Sequence, residues 1–401
     1  MDGVRSQVAG LTAPFAGRGR LLGAVAFGWL AVLGMRYVLP ALLPQVRAAF
    51  GLGNTGAGAV VSVVWLTYAV MQFPAGALVD RLGERRLLAG SVLAAAAGVG
   101  GIAVAPSLAP FVLACAVFGF GTGLFGTSRA TVLARAFPEN DGAAFGVVLG
   151  AGSVGAALLP VAGTYVAVRA GWRAAFAFAV PAYLLLGAAL WRAVPPRERT
   201  AGERTLRADA SRVAAEIRRG PVVVAVAGIG LMLFVFQGLS AFLPTYLVSV
   251  KGLAPTTAGT LFAFLFVVGA VVQSIAGRLA DRAGHHRVLL ATTAVSVLPL
   301  VALPLVEGVA GLAVVSAAIG IRLGVAPVSN AYIIAVLADE VEGTAWGLLR
   351  TGFFVVGSTG SVVVGYLADR GLFNAAFVGL AGLTLVAALC YTRLPARGAA
   401  R

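Results

Sequence analysis

Gly76-Ala77-Leu78-Val79-Asp80-Arg81-Leu82-Gly83-Glu84-Arg85-Arg86 closes one long apolar stretch, and Gly277-Arg278-Leu279-Ala280-Asp281-Arg282-Ala283-Gly284-His285-His286-Arg287 closes another. Gly76, Asp80 and Arg81 return as Gly277, Asp281 and Arg282 at one shared offset (277 − 76 = 201), about half of the 401 residues. The repeat reaches beyond the motif. At the same offset Gln72 pairs with Gln273, Arg36 with Gln237 and Arg129 with Asn330, and Ala174-Ala175-Phe176 returns as Ala375-Ala376-Phe377. Such a chain reads as two copies of one helical bundle, a plan on which membrane proteins with a site between their halves are built.

Composition places the bundles in a bilayer. Hydrophobic residues make up 60% and charged residues 11%, with a mean hydropathy of +0.95, outside the soluble globular range. Apolar runs of about 20 residues, long enough to span, fall near 20–44, 55–79, 86–105, 110–135, 143–168 and 172–194. A second set falls near 221–249, 255–280, 287–306, 309–337, 343–368 and 372–394. The expectation is an all-α polytopic membrane protein of twelve transmembrane helices in two pseudo-symmetric six-helix bundles. Residues 1–19 form an N-terminal segment, 20–194 the first bundle, 195–220 a linker, 221–394 the second bundle and 395–401 a tail. No cleavable signal is expected, because the first apolar run, from Leu21, is long enough to span.

A net charge of +15 would suggest nucleic acid in a soluble protein, but its distribution argues otherwise. With the N-terminus in the cytoplasm, Arg81, Arg85, Arg86, Arg135, Arg282, Arg287, Arg393 and eight arginines between Arg192 and Arg219 share that side. The opposite loops hold Arg47, Arg169, Arg173, Lys251 and Arg370. This is the positive-inside asymmetry, and it puts both termini in the cytoplasm and the protein in the plasma membrane. No nucleic-acid partner is expected; the expected partners are the bilayer and a small solute, with the chain monomeric.

Several chemistries drop out. Cys115 and Cys390 lie in separate spans, and the two histidines, His285 and His286, fall in a loop, so no metal or haem centre has its ligands there and no cofactor is expected. Lys251, the sole lysine, lies near a loop, which removes a retinal Schiff base. Gly150-Ala151-Gly152-Ser153-Val154-Gly155 fits a dinucleotide fingerprint but follows no strand and sits inside an apolar run, where close helix packing explains it better. The polar stretch Pro195–Gly220 places Leu206, Ala210, Val213 and Ile217 at helical spacing, which suits either a helix on the inner membrane surface or a solvated linker.

The motif Gly76…Asp80-Arg81-Leu82-Gly83 with Arg85 and Arg86 resembles the loop signature of the major facilitator superfamily, and the similarity runs over nearly the whole chain. In the second copy His285 and His286 replace the usual basic pair. The resemblance implies alternating access, with two halves rocking about a cavity lined by spans 1, 4, 7 and 10. It also implies that Gly76, Asp80, Arg81, Arg85, Gly277, Asp281 and Arg282 form a latch on the inner side rather than a substrate site. Asp80 can accept from a neighbouring helix N-terminus, where the dipole favours an anion.

The chemistry inside the membrane is dominated by arginine. Arg36, Arg129, Arg322 and Arg350 fall within spans, whereas Asp80, Asp281, Glu307, Asp339 and Asp369 lie at ends or in loops. An arginine at a helix centre costs about 2.5–3.5 kcal/mol on the insertion scale, so these should face a wet cavity, a partner or the interface. Arg322 is near the middle of its span; Arg36 lies eight residues before Pro44, about 12 Å of rise, so an outer-side snorkel is open to it. Arg129 is either a ligand or a partner for Glu139 and Asp141. Arg350, seven residues into its span, is expected to pair with Asp80 in the latch. Tyr68 and Gln72 share a helix face with Trp65, and Asn330 shares one with Arg322; with Gln237 and Gln273 they are candidate substrate contacts or helix–helix hydrogen bonds. By resemblance, Arg36, Arg129 and Arg322 sit on cavity-lining helices, as cavity arginines do in organic-anion members of the superfamily.

A guanidinium fork suits a carboxylate, nitrate or phosphate. The expectation is thus a secondary transporter of small anions, organic carboxylates first, not an enzyme. A multidrug/proton antiporter is the alternative, disfavoured by the lack of a carboxylate deep in any span. A membrane solute sensor is a weaker one, because the 26 residues of Pro195–Gly220 are too few to fold as a signalling domain.

Overall fold

The computed structural model describes residues 18–138, 140–196, 215–338 and 342–395, with the side chains of Phe73, Ala77, Asp80, Asp141 and residues 342–344 outside the description. Leu206, Ala210 and Val213 of the linker, and Glu139 and Asp339, lie outside the described residues. Among those described there are helices and no strands. In hydrocarbon the backbone must satisfy its own hydrogen bonds, and a helix does so within one segment.

Among the described residues, twelve helices are long and apolar enough to cross a membrane. Spans 1 to 6 are Gly19–Ala41, Asn54–Gln72, Glu84–Val104, Leu108–Ala136, Gly142–Ala170 and Trp172–Ala193. Spans 7 to 12 are Gly220–Ser249, Pro255–Ala283, His285–Leu305, Val309–Val336, Ala345–Asp369 and Phe373–Thr392. The span 2 helix continues to Leu82, carrying the first motif in its last turns. Between spans 1 and 2 a short helix, Leu43–Phe50, occupies what reads as a loop. The histidines require a correction: His285 and His286 form the first turn of span 9, and His285 is buried, because Gly284 has already turned the chain.

The motif glycines explain themselves. Gly83 (φ 77°) and Gly284 (φ 90°), again 201 apart (284 − 83), end spans 2 and 8 and start spans 3 and 9. Only glycine enters that backbone region without strain. Elsewhere glycines permit contact. A Cβ on Gly155 would run into the Leu30 carbonyl, and one on Gly152 into the Trp29 ring, so the fingerprint-like run packs span 5 on span 1.

Call the end of the bundle holding Gly19 and Thr392 the basic end. At the opposite end the halves are joined tightly. Ser62 Oγ lies 2.5 Å from the Ser358 carbonyl and 2.7 Å from Ser361 Oγ, and Ser361 Oγ reaches the Gly58 carbonyl at 3.0 Å. The Asp369 carboxylate accepts from the Asn54 N–H (2.6 Å), the Thr55 N–H (2.8 Å) and the Thr55 hydroxyl (2.6 Å). One apolar core runs through both halves here, whereas Val222, Ile229, Ala276, Leu289, Ile333 and Tyr391 make a separate cluster toward the basic end of the second half. Between these packed regions lies the central cavity.

Candidate functional site

A cavity of about 390 Å³ lies between the halves, bordered by Trp29, Arg36 and Tyr37 of span 1, Trp65 and Tyr68 of span 2, and Arg129 of span 4. The second half contributes Phe236 and Gln237 of span 7, Arg322 and Asn330 of span 10, and Arg350 and Phe354 of span 11. Among the described residues, four guanidinium groups line it and no carboxylate does.

Each arginine has a different setting. Arg36 is 2% exposed, and its Cζ lies 4.2 Å from the Tyr68 ring centre, 5.0 Å from Trp65 and 5.5 Å from Trp29. Arg129 sits 3.9 Å over Trp29, so one indole serves two cations. Trp29 and Arg36 are seven residues apart, two turns on one helix face. Arg322 donates from Nη2 to the Met232 carbonyl at 3.3 Å and lies 6.0 Å from the Phe236 ring. Arg350, half-buried, lies 5.7 Å from Phe354.

Much donor capacity is left over. Arg36 Nε and Nη2, Arg129 Nε and Nη1, Arg322 Nη1 and Arg350 Nε are buried with no acceptor among the described residues, and neither the amide nitrogen nor the amide oxygen of Gln237 has a hydrogen-bond partner there. Aromatic faces offset part of a buried cation's lost hydration, but they accept no N–H bond as a carboxylate would. Such donors around one cavity are suited to an anion that brings its own oxygens.

Arg322 stands where span 10 leaves α-helical geometry: Val309–Ile319 is α-helix, Gly320–Gly324 is a 3₁₀ segment and the α-helix resumes at Val325. Gly320 lies against the Leu265 carbonyl, and Gly269 of span 8 takes the Leu323 side chain. The break therefore sits where spans 8 and 10 meet. A roof closes the cavity toward the end opposite the basic one: Tyr37 of the first half lies 4.4 Å from Phe266, 6.2 Å from Phe262 and 6.3 Å from Phe236 of the second, centre to centre. Leu149, 45% exposed, lines the cavity from span 5.

Of the residues singled out in the sequence, Arg36, Arg129, Arg322, Arg350, Tyr68, Gln237 and Asn330 meet on this cavity. Two repeat-related pairs, Arg36 with Gln237 and Arg129 with Asn330, are among them. Gln72 and Gln273 do not border it; Gln72 Nε2 lies 3.5 Å from the Tyr68 carbonyl and Gln273 is half-buried on span 8. Arg350, expected in the latch, is on the cavity wall, and the Asp80 side chain lies outside the described residues. Around the motif, Arg81, Asp281 and Arg282 are exposed, Gly76 and Gly277 are half-buried, and Arg85 stacks 4.3 Å over Trp191. Among the described residues an ion pair there joins Glu84, 1% exposed, to Arg135 at 3.3 Å. Sequence reading missed the aromatic frame of Trp29, Phe236 and Phe354. The spacing of Trp29 to Arg36 was the available signal for the first.

Twelve spans around an arginine-lined cavity between two halves have the build of a membrane transporter. The family model described as Major Facilitator Superfamily matches residues 24–326 and 252–401, and the chain belongs to that superfamily. It is 26% identical over 381 residues, 86% of each chain, to the Probable sulfoacetate transporter SauU of Cupriavidus necator. It is 26% identical over 303 residues to the Probable nitrate/nitrite antiporter NarK1 of Thermus thermophilus, covering 70% of this chain and 66% of that one. Multidrug resistance protein MdtG of Dickeya zeae is 32% identical over 111 residues, 28% of this chain and 27% of its own length. In structure, a bacterial homologue of the lysosomal transporter Spinster, inward-facing and occupied, superposes with a TM-score of 0.77 at 16% identity, covering 94% of this chain and 96% of that one.

Proposed function

We propose that the protein is a secondary active transporter that carries small anions, organic carboxylates first, across the plasma membrane by alternating access. The observation that carries this reading is the set of four guanidinium groups on one carboxylate-free cavity between the halves. Arg36 and Arg129 come from the first half and Arg322 and Arg350 from the second, so a bound anion would bridge the two. Two relatives bear names of transporters of anions, sulfoacetate and nitrate/nitrite. The positive-inside asymmetry supports placing the basic end in the cytoplasm. The sealed opposite end and the exposed Leu149 then support a conformation open to the inside. With no carboxylate on the cavity among the described residues, anion exchange or entry of a proton on the substrate itself suits the site better than a protein-borne proton.

The aromatic walls formed by Trp29, Trp65, Phe236 and Phe354 support a second reading, efflux of lipophilic compounds, for which the partial relative MdtG gives a name but only over 27% of its length. One panel separates the two. Melting of the purified protein is followed with carboxylates, nitrate, phosphate esters and lipophilic cations. A ligand at 100 times its dissociation constant stabilises by about 2.7 kcal/mol. The expected result is a shift with one anion class that disappears in Arg322→Gln. A shift with lipophilic cations alone rules out the anion reading.

A further inference from the structure

A second basic concavity, apart from the transport cavity, lies at the basic end of the first half. It has a volume of about 470 Å³, and the starts and ends of three spans build it: Arg18 and Arg20 before and at the start of span 1, Arg135 at the end of span 4 and Arg192 at the end of span 6. Leu21 and Val132 give it an apolar floor, and among the described residues no carboxylate borders it. Two of the arginines, Arg18 and Arg135, are held in place. Arg18 donates from Nη1 to the Ala136 carbonyl, tying span 1 to span 4. Arg135 is anchored from behind by buried Glu84, on the first turn of span 3, while its own side chain stays 41% exposed.

Positive-inside topology explains arginines at this end, but it asks only that they lie near the membrane surface. It gives no reason for four of them to converge on one hollow with an apolar floor. Concave, low-dielectric walls lined by one sign of charge focus the field and concentrate counter-ions. Guanidinium forks match the oxygens of a phosphate group. The hollow opens where spans meet the headgroup layer, and the inner leaflet presents phosphate there with acyl chains beneath it.

We propose that this hollow, formed by Arg18, Arg20, Arg135 and Arg192, binds the phosphate headgroup of an anionic phospholipid from the inner leaflet. The lipid would bridge the ends of spans 1, 4 and 6. The leaflet rests on the orientation proposed above; the site itself does not.

The test uses the full chain in neutral detergent, titrated with phosphatidylglycerol, phosphatidylcholine or inorganic phosphate while melting is followed. Wild type should be stabilised by phosphatidylglycerol and not by the other two. The double variant Arg20→Gln/Arg192→Gln should need on the order of tenfold or more phosphatidylglycerol for the same shift, as the attraction of each arginine to anionic lipid implies. A control, Arg287→Gln/Arg393→Gln, removes two exposed arginines at the same end of the other half and should respond as wild type does. Equal responses of double variant and control, or no response of wild type, overturn the site. A shift by inorganic phosphate equal to that by phosphatidylglycerol overturns the lipid assignment. Arg20 and Arg192 are exposed, and melting without lipid reports whether the variant is folded. Arg322→Gln should keep its lipid response, so failure of the anion cavity and failure of this site are read separately.

Discussion

Arg36 and Arg322 are both nearly fully buried, at 2% and 4% exposure, yet the protein treats them differently. Three aromatic faces surround the Arg36 guanidinium within 5.5 Å, and each desolvated cation–π contact contributes about 0.5–2 kcal/mol. Arg322 has one carbonyl at 3.3 Å and one ring at 6.0 Å. Its charge is therefore the less compensated, and a cation left so costs more than an apolar side chain of similar size. Arg322→Met should raise the stability of the unliganded protein by roughly 1–3 kcal/mol while abolishing the anion-induced melting shift. Arg36→Met should lower stability and also lose the shift. Chemical denaturation of both, with and without anion, checks the pair; an Arg322→Met protein less stable than wild type would show that Arg322 is a structural cation. The arginines were legible in the sequence because a charge in an apolar run has few explanations. Their caging was not, since Trp65 and Tyr68 reach Arg36 from another span and no spacing within span 1 encodes that meeting. Gln72 was assigned with Tyr68 on spacing alone, yet it borders span 4, with a Cβ on Gly126 falling 3.9 Å from its Nε2.

Span 10 shows what the hydropathy pattern carries and what it leaves out. The expected run of 309–337 matches the observed Val309–Val336, because the length of an apolar stretch between polar turns is a local property. The same holds for the other spans except span 2, whose apolar window stops at Gln72 while its helix runs on to Leu82, past the expected 79. The five-residue 3₁₀ segment Gly320–Gly324 that carries Arg322 left no mark on hydropathy, and its only trace is the pair of bracketing glycines. A 3₁₀ stretch inside a longer helix marks a hinge or a local constraint. Here the constraint is visible: a Cβ on Gly320 would meet the Leu265 carbonyl, and one on Gly324 would come within 2.9 Å of Val272 and 3.1 Å of Ala276. Gly320→Ala must push backbone aside and is expected to cost about 1–3 kcal/mol, as overpacking does. Gly324→Ala meets only side-chain atoms and should cost less. Denaturation midpoints of the two variants check the order. The reverse order would mean that backbone freedom at Gly324, rather than contact with span 8, sets the break.

The two halves are joined tightly at the end opposite the basic one, and the repeat is visible in how they are joined. Gly58 of span 2 lies against the Ser361 carbonyl of span 11, and Gly259 of span 8 lies 3.0 Å (as a Cβ) from Thr164 Oγ1 of span 5. These glycines are themselves 201 apart (259 − 58), so each half offers its equivalent glycine to the other. Close approach of helices without side chains between them is how membrane helices gain packing energy in hydrocarbon. The alternating access proposed above requires this seal to open and reform. Gly58→Leu puts a side chain where backbone must sit, so it should hold the ends apart and abolish transport while leaving the anion cavity able to bind. Spin labels at Arg169→Cys and Thr256→Cys, with Cys115→Ser and Cys390→Ser, report the separation of spans 5 and 8 at that end. A longer distance in Gly58→Leu is expected, and an unchanged distance with intact transport would contradict the seal. Asp369→Asn tests the other component. The carboxylate accepts with both oxygens, at 2.6 Å from the Asn54 N–H and 2.8 Å from the Thr55 N–H, whereas an amide turns one of those positions into a donor facing an N–H. The label distance should therefore lengthen in only part of the population, and less than in Gly58→Leu. If Asp369→Asn opens the end as far as Gly58→Leu does, the charged cap at the start of span 2, and not the glycine contact, is what holds the halves together.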